Sequence, residues 1–417
     1  MSSLRSNLYR KVVSGLSACV PGALAPSKRK ELPDLPAAPR RRVWFHAAST
    51  GELESLAPVI QKWGQDPGHE LILTIFSRSA ERFLSRLIST LRATGVNILH
   101  YDYSPREGQW QRAIRALKPS AFVTAKYEAW PELWMSLADQ GIPLVVLSAR
   151  PRQSFSSAKG MLKLTGTQLP RILFLTEQAP AQSALREEFP AASVEICADP
   201  RWERALDRAR VATLDAGAPR VQAIANLLAP GEKCAVLGSV WQADLDFWGA
   251  CLKEIHQRLI VVPHEIDADH LRKCVATLEA QGLRCALTSR LPDLLDPSHC
   301  LVVDEMGFLA ELYRLADWAY VGGGFGKGIH STIEPAVYGI PVCVGPEGTA
   351  RFAEVEELKE TGQLAILNTS ADLRGWLDFV VDPGLRARRQ EWRAHAESKR
   401  GTSDRVLHLL ADVLASS

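Results

Sequence analysis

Residues 318–335 read WAYVGGGFGKGIHSTIEP. An apolar run of strand length, WAYVG (318–322), leads into five glycines within the seven residues 322–328. Ser331 follows, with Glu334 three residues on. Glycine permits positive φ and close backbone approach, and Ser-x-x-Glu marks a helix start. The stretch therefore predicts a strand, a crowded turn and a helix. Similar apolar runs recur on either side: CAVLG (234–238), LIVVP (259–263) and CLVV (300–303) before it, and PVCVG (341–345) after it. Further upstream the rhythm is the same, in VWFHAA (43–48), LILTIF (71–76), NILHYD (97–102), AFVTA (121–125), PLVVLS (143–148) and ILFLT (172–176). Longer amphipathic segments such as 53–64, 78–92 and 109–117 separate them. Near-continuous apolarity fits parallel strands covered on both faces, and strand–helix alternation fits right-handed crossovers.

The rhythm pauses over 198–232, a charged stretch marked by Pro and Gly. The organisation expected is an N-terminal basic, amphipathic segment and linker (1–40), a first α/β domain (41–205), a second (206–385) and C-terminal helices (386–417). Two parallel α/β halves imply a cleft, with ligands beyond the carboxyl ends of the strands.

Composition narrows the function classes. The 417 residues are 46% hydrophobic and 23% charged, which is globular rather than disordered. Lys+Arg 49 against Asp+Glu 47 leaves +2, so no bulk positive charge directs the chain to nucleic acid. The 8 cysteines form no CxxC pair, which supports neither a zinc site nor a redox motif. Apolar neighbours of Cys234, Cys251 and Cys343 predict reduced, buried thiols. No apolar run is long enough to span a bilayer. Residues 4–20 place Leu4, Leu8, Val12, Val13 and Leu16 at helical spacing among basic residues, and Lys28, Arg29, Lys30 and Arg40–Arg42 extend the charge. Such a segment suits an anionic membrane surface, or a helix packed on the domain.

The candidate site residues follow strands. HAASTGE (46–52) places Ser49, Thr50 and Gly51 at a strand-to-helix turn, with Glu52 in the first helical turn. Two readings are open. Glu52 is a general base facing a substrate hydroxyl, or it closes a Ser49-x-x-Glu52 capping box. His46 reads as a satisfied core histidine. KYEAWPELW (126–134) puts Glu128 and Trp130 at another helix start, either as a wall for an acceptor or as an acid favoured by the helix dipole. In GSVWQADLD (238–246), Gly238 and Ser239 open a helix able to bind phosphate, or Ser239 is an ordinary N-cap. His264 in PHE (263–265) stands beside that phosphate or caps its strand end. In the glycine stretch Lys327 meets an anion and Ser331 begins a helix, while Glu334 accepts from ribose hydroxyls or caps. Met306 and Gly307 line a base pocket, or Met306 is core.

These segments, with EAWP, PHEI, DEMG and RFAEVEEL (351–358), stand in an order and spacing that resembles the 3-deoxy-D-manno-octulosonic acid (Kdo) transferases over roughly residues 43–365. The resemblance implies a GT-B glycosyltransferase of two Rossmann-like domains. It implies inverting, metal-independent transfer of Kdo from CMP-Kdo to the 6′-hydroxyl of a lipid A precursor, without a cofactor, at the cytoplasmic face of the inner membrane. Glu52 falls on the family's general-base position. Gly238, Ser239, His264, Met306, Gly307, Lys327, His330, Ser331 and Glu334 fall on donor segments, and Ser49, Gly51, Glu128, Trp130 and Arg150 on the acceptor side. The other readings are a sugar-nucleotide epimerase of the same fold and a nucleotide-sugar-binding protein without turnover.

Overall fold

The computed structural model of the chain describes residue 9 and residues 32–36, 41–126, 128–214, 219–290 and 299–416. It divides into two compact units. One holds the described residues up to Glu203 together with those from Gly401 onward, and the other is Arg204–Arg400.

The first unit is built on seven parallel strands. They are β1 (Arg41–Ala47), β2 (His69–Ile75), β3 (Ile98–Tyr103), β4 (Ala121–Ala125), β5 (Leu144–Leu147), β6 (Ile172–Thr176) and β7 (Ser193–Ile196). Their order is β3-β2-β1-β4-β5-β6-β7, with Val43 level with Leu71 on one side and Ala121 on the other. Alternate residues of β1 enter different cores. Val43, Phe45 and Ala47 pack with Leu53, Leu56 and Ile60 of the helix Thr50–Trp63. Trp44 packs with Trp110, Phe122 and Trp134 on the opposite face. Both faces are dry, which is why the strand reads as continuously apolar rather than alternating.

The second unit repeats the scheme with β8 (Cys234–Val240), β9 (Arg258–Pro263), β10 (Arg284–Leu287), β11 (His299–Val302), β12 (Trp318–Val321), β13 (Val342–Val344) and β14 (Leu364–Ile366). Their order is β10-β11-β9-β8-β12-β13-β14, again parallel throughout. Ala235 and Leu237 face Trp248, Trp318 and Tyr320, whereas Val236 faces Tyr313 and Ala319. The fold is thus α/β with two Rossmann-like halves.

In each sheet the connection reverses direction once next to the first strand, between β1 and β4 and between β8 and β12. Such switch points open a crevice at the carboxyl ends of their strands. HAASTGE runs out of the end of β1 and KYEAWPELW follows β4, while GSVW forms the end of β8 and the glycine stretch follows β12.

Every apolar run read as a strand is one. The strands not read are β7, β10 and β14, and all three lie at sheet edges. An edge strand is covered incompletely, so its sequence carries polar residues, as in SVEI and RCAL. Two other readings change. Arg42 is no part of an exposed basic path. It is 2% exposed, paired with Glu70 at 3.0 Å, and it donates to the Leu117 carbonyl. The C-terminal residues also do not form one group. The helix Leu385–Glu397 buries Trp392 in the second unit, whereas the helix Thr402–Ala415 inserts Val406 and Leu410 into the first unit's core. Of the linker 31–40, Leu35 is hydrogen-bonded to the Ala116 carbonyl and Asp34 pairs with Lys118. The amphipathic stretch 4–20, Tyr9 apart, and the cations Lys28, Arg29, Lys30 and Arg40 lie outside the described residues. Among the described residues, no helix is long and apolar enough to cross a membrane.

Candidate active site

At the first switch point the chemistry is carboxylic. Ser49 is the N-cap of the helix Thr50–Trp63, and Glu52 occupies its first turn at 4% exposure. Glu52 Oε2 accepts hydrogen bonds from the backbone N–H groups of Ala48 and Ser49. The capping role is therefore real, and both bonds end on the same oxygen. Gly51 needs no glycine on steric grounds, since a methyl group there meets nothing within 4 Å. Across the switch point, Glu128 is buried to 8% and its Oε2 accepts from Trp130 Nε1 and faces His46 Nε2 at 3.3 Å. His46 is a fully buried core histidine, as read, but it is also a link. Its Nδ1 meets Thr74 Oγ1 at 3.0 Å, and that hydroxyl accepts from Trp44 Nε1 at 2.8 Å. Trp130 is the N-cap of the helix Pro131–Asp139, with proline in the first turn where its missing N–H costs nothing.

This arrangement drives the two carboxyl groups apart in acidity. Burial, and then the charge of Glu128, push Glu52 up to about 7. Burial also favours neutral Glu128, but the hydrogen bond and electrostatic pull of His46, with the bond from Trp130, outweigh it and hold Glu128 below the ordinary carboxylate range. Near neutral pH Glu128 is an anion, and Glu52 exchanges a proton readily. A base is most effective with its pKa near the working pH. Arg150 follows β5 and donates to Gln178 Oε1 at 3.3 Å.

At the second switch point rings and glycines take over. The strand β8 runs through Gly238 and Ser239 to Val240, with a bulge where Ser239 takes φ 55. Ser239 is thus neither a helix start nor an N-cap. The cap is Trp241, and its N–H is taken by Asp244 Oδ2 at 2.8 Å. The same oxygen accepts from Gly323 N at 2.8 Å, and Oδ1 accepts from Tyr320 at 2.6 Å. Asp244 is fully buried and ties the GSVW turn to the glycine stretch. Sequence reading passed over it, although an acid at the third helical position was the available signal. The glycines are required by crowding. A Cβ on Gly322 would stand 2.4 Å from the Ser239 carbonyl oxygen, one on Gly323 2.2 Å from that of Gly328, and one on Gly324 2.4 Å from Gly345 Cα. Only Gly326 in this run has open space above it.

Nor does Ser331 begin a useful helix. The helix is Ile333–Ala336, one turn long, with Thr332 as its cap. Glu334 reaches Arg208 at 3.2 Å, and Arg208 also holds Glu311 at 2.9 Å. Arg208 lies in the charged stretch that sequence reading treated as a pause. Met306 is 66% exposed, so it is not core, and Gly307 beside it has φ 108. Three of the expected donor residues do converge. His264 is sandwiched between Trp241 and His330, each ring centroid 4.5 Å away, and Lys327 Nζ stands 5.6 Å from the Trp241 centroid. Burial lowers the pKa of His264, and burial together with His264 brings His330 down to about 4. The stack is neutral near pH 7. His330 Nε2 is buried with no hydrogen-bond partner among the described residues.

Known proteins fit this picture. A family described as 3-deoxy-D-manno-octulosonic-acid transferase (kdotransferase) matches residues 24–204. A Kdo transferase of Chlamydia muridarum is 26% identical, the alignment covering 77% of this chain and 74% of that one. One from Haemophilus influenzae is 23% identical, over 90% and 88%. The chain is similar to the Kdo transferases along most of its length. Its class is that of the glycosyltransferases, and its architecture is GT-B. A glycosyltransferase from Rickettsia africae superposes with a TM-score of 0.58 at 11% identity, covering 91% of this chain and 100% of its own. The UDP-GlcNAc 2-epimerase of Neisseria meningitidis superposes at 0.56 and 11%, over 89% and 100%. Since this fold is shared by glycosyltransferases and epimerases, the backbone alone does not separate them.

Proposed function

We propose that this chain is a Kdo transferase, which moves Kdo from CMP-Kdo to the 6′-hydroxyl of a lipid A precursor, in lipopolysaccharide synthesis at the cytoplasmic face of the inner membrane. The first unit supplies the base and binds the acceptor. The second holds the donor. The single observation that carries the reading is the buried Glu52 carboxyl, raised to about 7 beside ionised Glu128 at the first switch point.

The reaction is a direct displacement with inversion. Glu52 takes the proton of the acceptor hydroxyl as its oxygen bonds to the anomeric carbon of Kdo. The bond from that carbon to the phosphate oxygen breaks, and CMP leaves with the electron pair. Lys327, held over Trp241, is the proposed counter-charge for the donor anion, and the stacked neutral imidazoles offer N–H groups without a competing charge. The helix starts expected at 239 and 331 drop out of this scheme, because neither residue opens a helix. The step asks no Lewis acid of the chain, so a chelator is expected to leave turnover unchanged. On the acceptor side, Ser49, Gly51, Trp130 and Arg150 remain the proposed contacts.

The test is acceptor-dependent CMP release from CMP-Kdo. Release only with the lipid A precursor present supports the transfer. Binding of CMP-Kdo without release would leave a non-catalytic nucleotide-sugar binder, and conversion of a UDP-sugar alone would favour the epimerase reading suggested by the shared fold.

A further inference from the structure

A cavity of about 860 Å³ opens in the second unit, away from its switch point. Lys233, Gln257 and Asp317 line it, and each immediately precedes a strand, β8, β9 or β12. The cavity therefore lies at the amino ends of the sheet, whereas the glycine stretch follows the carboxyl ends. Along the seven residues of β8 the two ends are roughly 20 Å apart.

The lining carries four cations, Lys233, Arg386, Arg389 and Arg393, against two acids, Asp317 and Asp382. Arg386, Arg389 and Arg393 recur at spacings of three and four along the helix Leu385–Glu397, so they share one face. Asp317 draws in Lys233 at 3.0 Å and Arg389 at 3.3 Å, and its other oxygen accepts from Cys234 N at 2.9 Å. Arg393 donates from Nε to the Tyr338 carbonyl at 2.8 Å, and its stem lies against Gly339, where a Cβ would stand 2.4 Å from Arg393 Cγ. Its Nε is occupied, so its terminal nitrogens are the donors left for a ligand. Burial, with a smaller contribution from Arg393 alongside, depresses the Arg389 pKa against the pull of Asp317. Val381, 62% exposed, adds an apolar flank. Planar guanidinium forks on one face match phosphate geometry, and the volume suits a small molecule or a headgroup.

We propose that this cavity is a second anion site, distinct from the donor end, which binds the phosphate groups of a small phosphorylated molecule or of a phospholipid headgroup. The experiment uses the full chain and two probes. Inorganic pyrophosphate is titrated calorimetrically into the Lys327→Met variant, so that the donor end is weakened, and into the same variant carrying Arg386→Gln and Arg393→Gln. Binding should weaken at least tenfold in the latter, with the unfolding midpoint unchanged. Arg386→Glu, at an exposed position, serves as a second variant and should weaken it similarly. Co-sedimentation with vesicles of phosphatidylcholine and phosphatidylglycerol in equal parts separates the sources. Arginine-dependent vesicle binding assigns the site to a headgroup, and pyrophosphate binding without it assigns the site to a soluble phosphate. Affinity for both probes that is the same in all variants, or absent from the parent, overturns the proposal.

Discussion

The two switch points stand at equivalent places in two similar sheets, yet they are furnished oppositely. At the first, two carboxyl groups are buried close enough for the charge of one to act on the other, and the environment separates their acidities. At the second, a carboxylate is also buried, but Asp244 spends its oxygens on Trp241, Gly323 and Tyr320 and serves the backbone. What faces outward there is a neutral ring stack and a lysine. The difference teaches that a buried acid is a reactive group only where its partners leave its charge unsettled. Asp244 is fully engaged. Glu52 has its backbone bonds on one oxygen and an anion for a neighbour.

The sharpest way to break this contrast is Glu52→Gln. Loss of a general base should lower kcat by about 10²–10⁴-fold. Turnover near that of the parent in the CMP-release assay would leave Glu52 as a cap and nothing more. The same variant has a stability signature. Neutral Glu52 is favoured by the fold, so its contribution is present below its ordinary value of 4.5 and is lost as pH rises through about 7. Chemical denaturation from pH 4.5 to 7 should show that decline in the parent and a flatter profile in Glu52→Gln.

Gly323→Ala probes the other side. Gly323 has φ 96, and a Cβ there meets the Gly328 oxygen at 2.2 Å. Strained φ and overpacking each cost on the order of 1–3 kcal/mol, so the denaturation midpoint should fall markedly. A midpoint like the parent's would mean that the stretch can relax and that its glycines answer to a ligand instead. Lys327→Met is a milder test. A charged hydrogen bond contributes about 1.5–3 kcal/mol, so donor KM should rise by about tenfold or more, with little change in stability at this exposed residue. The smallest expected effect is that of Glu128→Gln on the pH profile. Removing that charge should move the acidic limb of kcat/KM from about 7 toward the ordinary carboxylate range. An unmoved limb would separate the two acids and undo the proposed pairing.

Much of the site was legible, and its gaps are instructive. Glu52, Glu128, His264, Lys327 and His330 were readable because each follows a strand that the apolar runs had already located. Ser239 and Ser331 were misread as helix starts because Gly-Ser and Ser-x-x-Glu are local signals. A bulge at Ser239 and a one-turn helix at Ile333–Ala336 are set by how β8 and β12 pack. Arg208 and Asp244 were not singled out, since their partners lie far along the chain, at Glu334 and Gly323.

The linear pattern was enough to specify eleven of the fourteen strands, all ten interior ones among them, the βα alternation and the strand ends on which chemistry could sit, because burial on both faces leaves an unbroken apolar trace in sequence. Folding in three dimensions settled the rest. It assigned the last helix to the first unit, placed an anion beside Glu52 and set three glycines against backbone. Each of these depends on contacts between residues distant in sequence, and a carboxyl group's acidity or a glycine's necessity is a property of its neighbours in space.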